Sequence, residues 1–362
     1  MPSSRLRVYQ YLPYLREAGI ETKVLPALPE PWFSRFYFSK FKIMHFFQFF
    51  LEALFSFLRI AQARKYDVVF IQKGILNTNL RGFDKFLPSL RVPLIFDLDD
   101  LVYGRSPTEF RSPFLKFLQD PSQTKKISSC SRVVITGNQF LRDEALKYNS
   151  NVFVIPTPVD TSRFFPASNH RNSKEVVIGW IGMETTLGYL FELKKVFEEL
   201  SKRFPIRLKI ITRIGNGSHP FQGFPVDFVS WSYETEVQEM SAFDIGVMPL
   251  PKQLWSEGKC GLKLLQYMAM GIAGVASATK ANQDIVEDGK DGFLADTEEE
   301  WITKLSLLIS DEKKRKEMGA HARQKTLKRY SLHQSAGRLI EILKKVGQKT
   351  SVRRKVRKYA KA

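Results

Sequence analysis

The apolar positions of this chain fall into short uninterrupted runs separated by longer amphipathic stretches. In the first half the runs are DVVFIQ (67–72), PLIFDLDD (93–100), RVVITGN (132–138) and VFVIPTPV (152–159). Their length and their richness in Val, Ile and Phe predict strands buried on both faces, the pattern of a parallel sheet. Ahead of them, SSRLRVYQYLPYLREAGI predicts a capped helix ending at Gly19, followed by a strand over ETKVLPAL. A helix is predicted from Gln139 to about Tyr148. A domain of this kind ordinarily opens on a strand and a glycine turn. Here the chain begins almost at the helix, so the expectation is that the first strand is missing or that the start is misassigned.

The stretch TSRFFPASNHRNSKE (161–175) turns polar and predicts a linker. A second series follows at once: VVIGWIG (176–182), a helix from about Thr186 to Phe204, RLKIITRIG (207–215) and VDFVSW (226–231). After a helix through Met240 come DIGVMPL (244–250), a helix from about Leu262 to Gly271, and GVASAT (274–279). Strands alternating with helices twice over predict two Rossmann-like α/β domains with parallel sheets facing a central cleft. The expected boundaries are 1–165, 175–330, a C-terminal helix at 331–347 packing back on the first domain, and a basic tail at 348–362. In such sheets ligands bind beyond the carboxyl ends of the strands, so the cleft is the expected site.

Composition excludes several classes. At 362 residues and 43% hydrophobic content, the chain is long enough for two cores and too apolar for disorder. Cys130 and Cys260 are far apart and form no CxxC pair, which argues against a cysteine zinc site and for a reducing compartment. The five histidines have no metal-ligand spacing, and no metal is assigned. The opening MPSSRLRVYQYLPYL does not read as a signal peptide, because arginines interrupt it. The formal charge is +19, and nine Lys/Arg with no acid lie between Lys344 and Lys361. No RRM, KH or zinc-finger signature accompanies this tail, so no nucleic-acid partner is assigned. The segment FKIMHFFQFFLEALFSFLRIA (41–61), broken by His45, Gln48, Glu52 and Arg59, is too interrupted to span a bilayer. It reads either as a helix packed on the first sheet or as one lying in an anionic membrane surface together with the 344–361 tail. The expected location is cytoplasmic, with peripheral attachment to the inner membrane face as the accompanying expectation.

The chemistry concentrates in DIGVMPLPKQLWSEGKCGLKLLQYMAMGIAGVAS (244–277). Gly258-Lys259-Cys260-Gly261 runs straight into the helix at Leu262. Backbone amides at a helix start attract anions, Gly258 and Gly261 let the backbone approach a phosphate, and Lys259 and Lys263 add charge. Gln266, one turn on, is placed for a ribose hydroxyl. The plainer reading is a solvated lysine pair opening a helix.

Eight blocks in order, SSRLRVYQYLPYLREAGI, PLIFDLDDLVY, VVITGNQFL, VFVIPTPVDTSRF, VIGWIGMETTLGYL, FDIGVMPL, GKCGLKLLQYMAMGIAGVAS and IVEDGKDGFLA, resemble glycosyltransferase family 4 of the GT-B fold, a bacterial subgroup in particular. The resemblance runs from Ser3 to about Tyr330. It implies a retaining, metal-independent hexosyltransferase of polysaccharide or cell-envelope biosynthesis. Its donor would be a nucleotide-sugar, a substrate and not a cofactor, and its acceptor a glycan or a lipid-linked molecule. The family's E-x7-E motif aligns its ribose position with Gln266 and its first position with Gly258; neither is Glu, and Glu257 is one residue away. In Gly182-Met183-Glu184-Thr185-Thr186 the glycine and the two hydroxyls stand where donor phosphates are met, and Arg213, Lys259 and Lys263 form an expected cationic trio for the leaving diphosphate. Leu262 opens the donor helix, and Asn282 and Asp284 begin the helix near the donor's sugar. Asp99 and Asp100 replace a family histidine, to bond sugar hydroxyls or orient the acceptor. For the cluster Asp97, Asp99 and Asp100, capping the next segment, pairing with Arg5 or Arg7, and a metal site are the other readings. Ser3, Ser4 and Arg5 fall in the family's loop near the acceptor.

Overall fold

The computed structural model describes residues 2–26, 51, 54–59, 62–74, 87, 90–101, 103, 120, 122–166, 175–213 and 220–359, apart from the side chains of Pro2 and 349–359. Most of the Phe-rich segment 41–61 lies outside these residues, as do the side chains of most of the basic tail. The chain divides into two compact units: Met1–Pro156 with Ala336–Ala362, and Thr157–Ser335. The cut falls before the polar stretch 161–175, because Val159 is already bound into the second unit. Its amide donates to Tyr330 O (2.9 Å), and its carbonyl accepts from Leu332 N (2.9 Å).

The first unit opens with α1 (Pro2–Arg7), a 3-10 turn at Tyr9–Tyr11, and α2 (Leu12–Glu17). One continuous helix was expected here. Val8 leaves the helical region at φ −131°, and Pro13 in the first turn of α2 has no amide to extend a preceding helix. Gly19 ends the segment at φ 74°. The expected strand over 21–28 is not formed at residues 21–26. Four parallel strands follow, β1 (Val69–Gln72), β2 (Leu94–Leu98), β3 (Val133–Thr136) and β4 (Val152–Val154), adjacent in that order. They are accompanied by α3 (Gln123–Cys130) and by α4 (Gln139–Leu146), which starts on an Asn138 cap. The core gathers Leu94, Phe96 and Leu98 of β2 with Ile127, Val134 and Ala145.

The second unit holds six parallel strands. In chain order they run β5 (Val176–Ile181), α5 (Leu187–Phe191), α6 (Lys194–Ser201), β6 (Ile206–Thr212), β7 (Val226–Ser230), α7 (Glu236–Met240) and β8 (Ile245–Met248). Then come α8 (Leu254–Glu257), α9 (Leu262–Ala269), β9 (Ala273–Ser277), α10 (Lys280–Ile285), β10 (Phe293–Ala295), α11 (Glu298–Ser310) and α12 (Glu312–Arg329). The spatial order β7-β6-β5-β8-β9-β10 reverses direction between β5 and β8. That reversal is the topological switch point at which open parallel sheets hold ligands. Alternate residues of β5 build the two faces: Ile178 and Trp180 join α6 and α11, while Val177 and Ile181 join α9. The final helix α13 (Leu332–Tyr359) starts in the second unit and continues through the basic tail, where a plain solvated extension was expected. Within the first unit its Leu339 lies beside Arg7, Tyr11 and Phe70.

Candidate functional site

β5 and β8 pair only at Ile178↔Ile245 and Gly179↔Gly246, then diverge toward their carboxyl ends. The Tyr267 hydroxyl fills the gap. It accepts from Ile181 N (3.3 Å) and donates to Val247 O (3.2 Å), so neither buried backbone group is stranded. Burial raises the phenol's pKa well above its ordinary value, and it stays protonated. This residue was not singled out from sequence. Its signal was present as an aromatic directly after Gln266, on the helix face toward two strand glycines.

Above the divergence, three expected residues meet. Gly182 follows β5, and its amide donates to Ile211 O (3.0 Å). A Cβ at this position would lie 2.6 Å from the Trp180 ring and 2.8 Å from Lys263 Nζ, so only glycine leaves that space free. Lys263 Nζ sits 4.3 Å from the centroid of the Trp180 ring and donates weakly to Thr186 Oγ1 (3.5 Å). It forms no ion pair among the described residues. Burial, helped by the charge of Lys259, pushes the ammonium's pKa down to about 7. Lys259 itself lies over the Trp255 ring, 3.2 Å from its centroid. Trp180 is fully buried, and its indole N–H has no acceptor among the described residues.

Gly261 adopts φ 62°, ψ 24° as the N-cap of α9, which has no side-chain cap. A Cβ there would be 2.3 Å from Ile285 Cδ1 as well as conformationally strained. The first-turn amides of α9 therefore have no side chain closed over them. Asn282 is fully buried at the third position of α10. Its Nδ2 donates to Ser277 O (2.8 Å), while Oδ1 has no donor among the described residues. Ser256 Oγ is likewise buried without a partner among the described residues. Gln266 is buried with no side-chain hydrogen bond among the described residues. Leu262 is half-buried at the start of α9, and Gly258 closes α8. Glu257 caps α10: its carboxylate accepts from Lys280 N (2.6 Å), a role the sequence did not suggest. Thr185 and Glu184 are exposed in the 3-10 turn Glu184–Thr186, and Arg213 is exposed just after β6, with no ion pair among the described residues. The cationic trio is thus a close pair with Arg213 on the next strand end. Asp284 is on α10, and its carbonyl accepts from the Tyr330 hydroxyl (3.1 Å).

The remaining candidates lie in the first unit. Asp97 is buried and paired with Arg7, which donates Nε–H to Oδ2 (3.0 Å), a second N–H to Oδ1, and a third to Ile155 O (2.7 Å). Burial alone would lower the Arg7 pKa, but the Asp97 charge and hydrogen bonds outweigh it and hold the guanidinium charged. Asp99 and Asp100 pair with Lys73 at 3.4 and 3.2 Å, and Gln72 donates to Asp99 (3.4 Å). Lys73, at φ 63° just past β1, was missed in the sequence because its partners are remote along the chain. Burial opposes its charge, but the two carboxylates raise its pKa. The expected pairing with Arg5 or Arg7 therefore holds for Asp97, and Lys73 takes the other two. Ser4 and Arg5 are on α1, whose Ser4 carbonyl accepts from Val8 N (3.0 Å), and not in a loop. Among the described residues no group of three or more His, Cys, Asp or Glu is placed to hold a metal ion, and no helix is long and apolar enough to cross a membrane.

Residues 175–311 match the family model described as glycosyl transferases group 1. Sulfoquinovosyl transferase SQD2 of Arabidopsis thaliana is 31% identical over 175 residues, covering 44% of this chain and 32% of that protein. The chain thus spans about a third of the length of the curated relative it matches. Among solved structures, sucrose-phosphate synthase of Thermosynechococcus elongatus superimposes with a TM-score of 0.60 at 14% identity, covering 84% of this chain and 79% of that one. Anabaena HepE in complex with UDP-glucose gives 0.59 at 15% identity, covering 92% and 88%. Residues 175–311 of the second unit thus resemble the glycosyl transferases group 1 family, in a chain whose two parallel-sheet α/β units give it the GT-B fold.

Proposed function

We propose that this chain is a glycosyltransferase whose donor is a nucleotide-diphosphate sugar held by the second unit at the β5/β8 switch point. The observation that carries the reading is Lys263. It is a half-buried ammonium with no carboxylate partner among the described residues, beside the open space over Gly182 and in the first turn of α9, whose start has no side-chain cap. An anion is the ligand that satisfies all three. Anabaena HepE, of the same fold, was solved with UDP-glucose, which supports a nucleotide-sugar as donor. In this reading Lys263 and Lys259 meet the diphosphate and stabilise its departure. Gln266 bonds the ribose, and the free Asn282 Oδ1 accepts a hydroxyl donated by the sugar. The acceptor is a glycan or lipid-linked hydroxyl, and retention without metal follows the family resemblance.

Direct measurement of UDP and GDP binding, followed by turnover with a panel of their sugars, tests this. Nucleotide binding that is lost in Lys263→Met supports the donor site, and binding untouched by that change removes it. Gly258 and Gln266, at the two glutamate positions of the family motif, favour a second reading: a nucleotide-sugar binding protein with weak catalysis. Tight nucleotide binding with no transfer or donor hydrolysis would select it. For the membrane attachment, trimming the chain after Gly347 is expected to reduce association with anionic vesicles and leave nucleotide affinity intact.

A further inference from the structure

We propose that the first unit docks on an anionic lipid surface through one face of the helix at 54–59, with the basic segments beside it supplying the charge. The inference rests on the membrane attachment proposed above and gives it a surface. Burial on this helix is the reverse of what folding in water favours. Ser56 is only 2% exposed, while Leu54, Phe57 and Leu58 are 44%, 50% and 48% exposed. Positions 54, 57 and 58 are spaced i, i+3 and i+4, so the three side chains form one patch on one face. Single exposed apolar residues are common on any protein, but a contiguous patch of large ones marks a contact surface.

What covers the patch follows from the charge around it. Arg59 borders it, with its guanidinium carbon 5.5 Å from the centroid of the Phe55 ring, so its stem lies along apolar surface. Arg64 and Lys65 are exposed in the 3-10 turn that follows. The far end of α13 reaches the same segment. A Cβ at Gly347 would lie 3.7 Å from Val68 Cγ2, and Lys344 and Lys345 are exposed within the turn before it. The chain beyond Gly347 therefore leaves the first unit beside the segment that carries Arg64 and Lys65. From Lys344 to Lys361 it holds nine Lys/Arg and no acid. Asp67 is the only acid among the described residues of 54–68. A second copy of this chain would bring the same cations against these ones, and like charges repel. An anionic leaflet matches both parts of the surface: its acyl boundary takes Leu54, Phe57 and Leu58, and its headgroups take the cations.

Sedimentation of the full chain with vesicles of phosphatidylcholine containing about one-third phosphatidylglycerol, against phosphatidylcholine alone, tests the surface. The unaltered chain is expected to bind the anionic vesicles at least about tenfold more tightly and to lose that advantage in high salt. The triple variant Leu54→Gln, Phe57→Gln, Leu58→Gln is expected to bind them about tenfold or more weakly, because three apolar side chains no longer enter the lipid. Its melting curve and nucleotide affinity should match those of the unaltered chain, since all three side chains are already exposed. Phe57→Trp adds a readout independent of affinity: the emission it adds should shift to the blue on anionic vesicles and be quenched by brominated acyl chains. Should the triple variant melt lower, unquenched Phe57→Trp emission in the bound state overturns the inference. Triple-variant binding equal to that of the unaltered chain, while trimming after Gly347 weakens it, overturns the inference and leaves the tail attachment standing. Equal binding of the two kinds of vesicle overturns the part given to the cations. A fall in oligomeric mass in the triple variant overturns the lipid assignment and gives the face to a second copy. No vesicle association by the unaltered chain overturns both the inference and the attachment it rests on.

Discussion

The strand ends of the two units solve the same problem in opposite ways. In the first unit the charges described at the ends of β1 and β2 are partnered: Arg7 with Asp97, and Lys73 with Asp99 and Asp100. In the second unit the corresponding edge keeps Lys263 without an ion-pair partner among the described residues. Trp180 Nε1, Ser256 Oγ and Asn282 Oδ1 are buried there without partners among the described residues. Folding alone favours the first arrangement, because a buried polar group without a partner costs stability. A unit that leaves such atoms on the segments leading into and following α9 has somewhere to put a ligand. Charge clustering by itself does not mark a site, since the cluster Asp97, Asp99 and Asp100 is compensated by Arg7 and Lys73.

The comparison breaks first at Asp97. Replacing it with alanine strands the buried Arg7 guanidinium and is expected to cost about 3–5 kcal/mol in denaturant unfolding of the first unit. Lys263→Met should do the reverse. It should leave stability unchanged or raised, and weaken UDP or GDP binding about ten- to a hundredfold, the range for losing one charge-assisted hydrogen bond. A stability loss like that of Asp97→Ala would show that Lys263 belongs to a compensated network after all. Tyr267→Phe leaves the Ile181 amide and the Val247 carbonyl without their bridge and should cost about 1–3 kcal/mol. The smallest change is expected at Asp100→Asn, under about 1 kcal/mol, because Lys73 is partly exposed and keeps Asp99. The pH dependence sharpens the contrast further. The Lys263 pKa is lowered on folding, so between about 7 and the ordinary lysine value the unfolded chain binds more protons. Its contribution to stability therefore rises with pH across that window, and melting curves of Lys263→Met should lose that rise.

Strand runs were readable because buried parallel strands need unbroken apolar sequence, as in VVIGWI and IGVM. Gly261 and Lys263 were readable because a glycine-rich turn with lysines before an apolar helix has few structural uses, and Gly182 was readable only through the family resemblance. Other features were not. The break at Val8 depends on where the chain turns, and the helices α8, α11 and α12 lie in sequence that gave no strand-and-turn pattern to anchor them. Glu257 was read as a substitute for a motif glutamate, whereas its carboxylate caps α10, a contact with Lys280 across the intervening helix and strand.

Periodicity and glycine placement are local properties of the chain. They determined the two α/β units, the helix at Leu262 and the residues that gather around it. Which charges neutralise one another is decided by strand order and register, which bring residues far apart in sequence within a few ångströms. Only the folded sheet could pair Arg7 with Asp97, deliver Lys73 to Asp99 and Asp100, and leave Lys263 over an indole with no counter-charge.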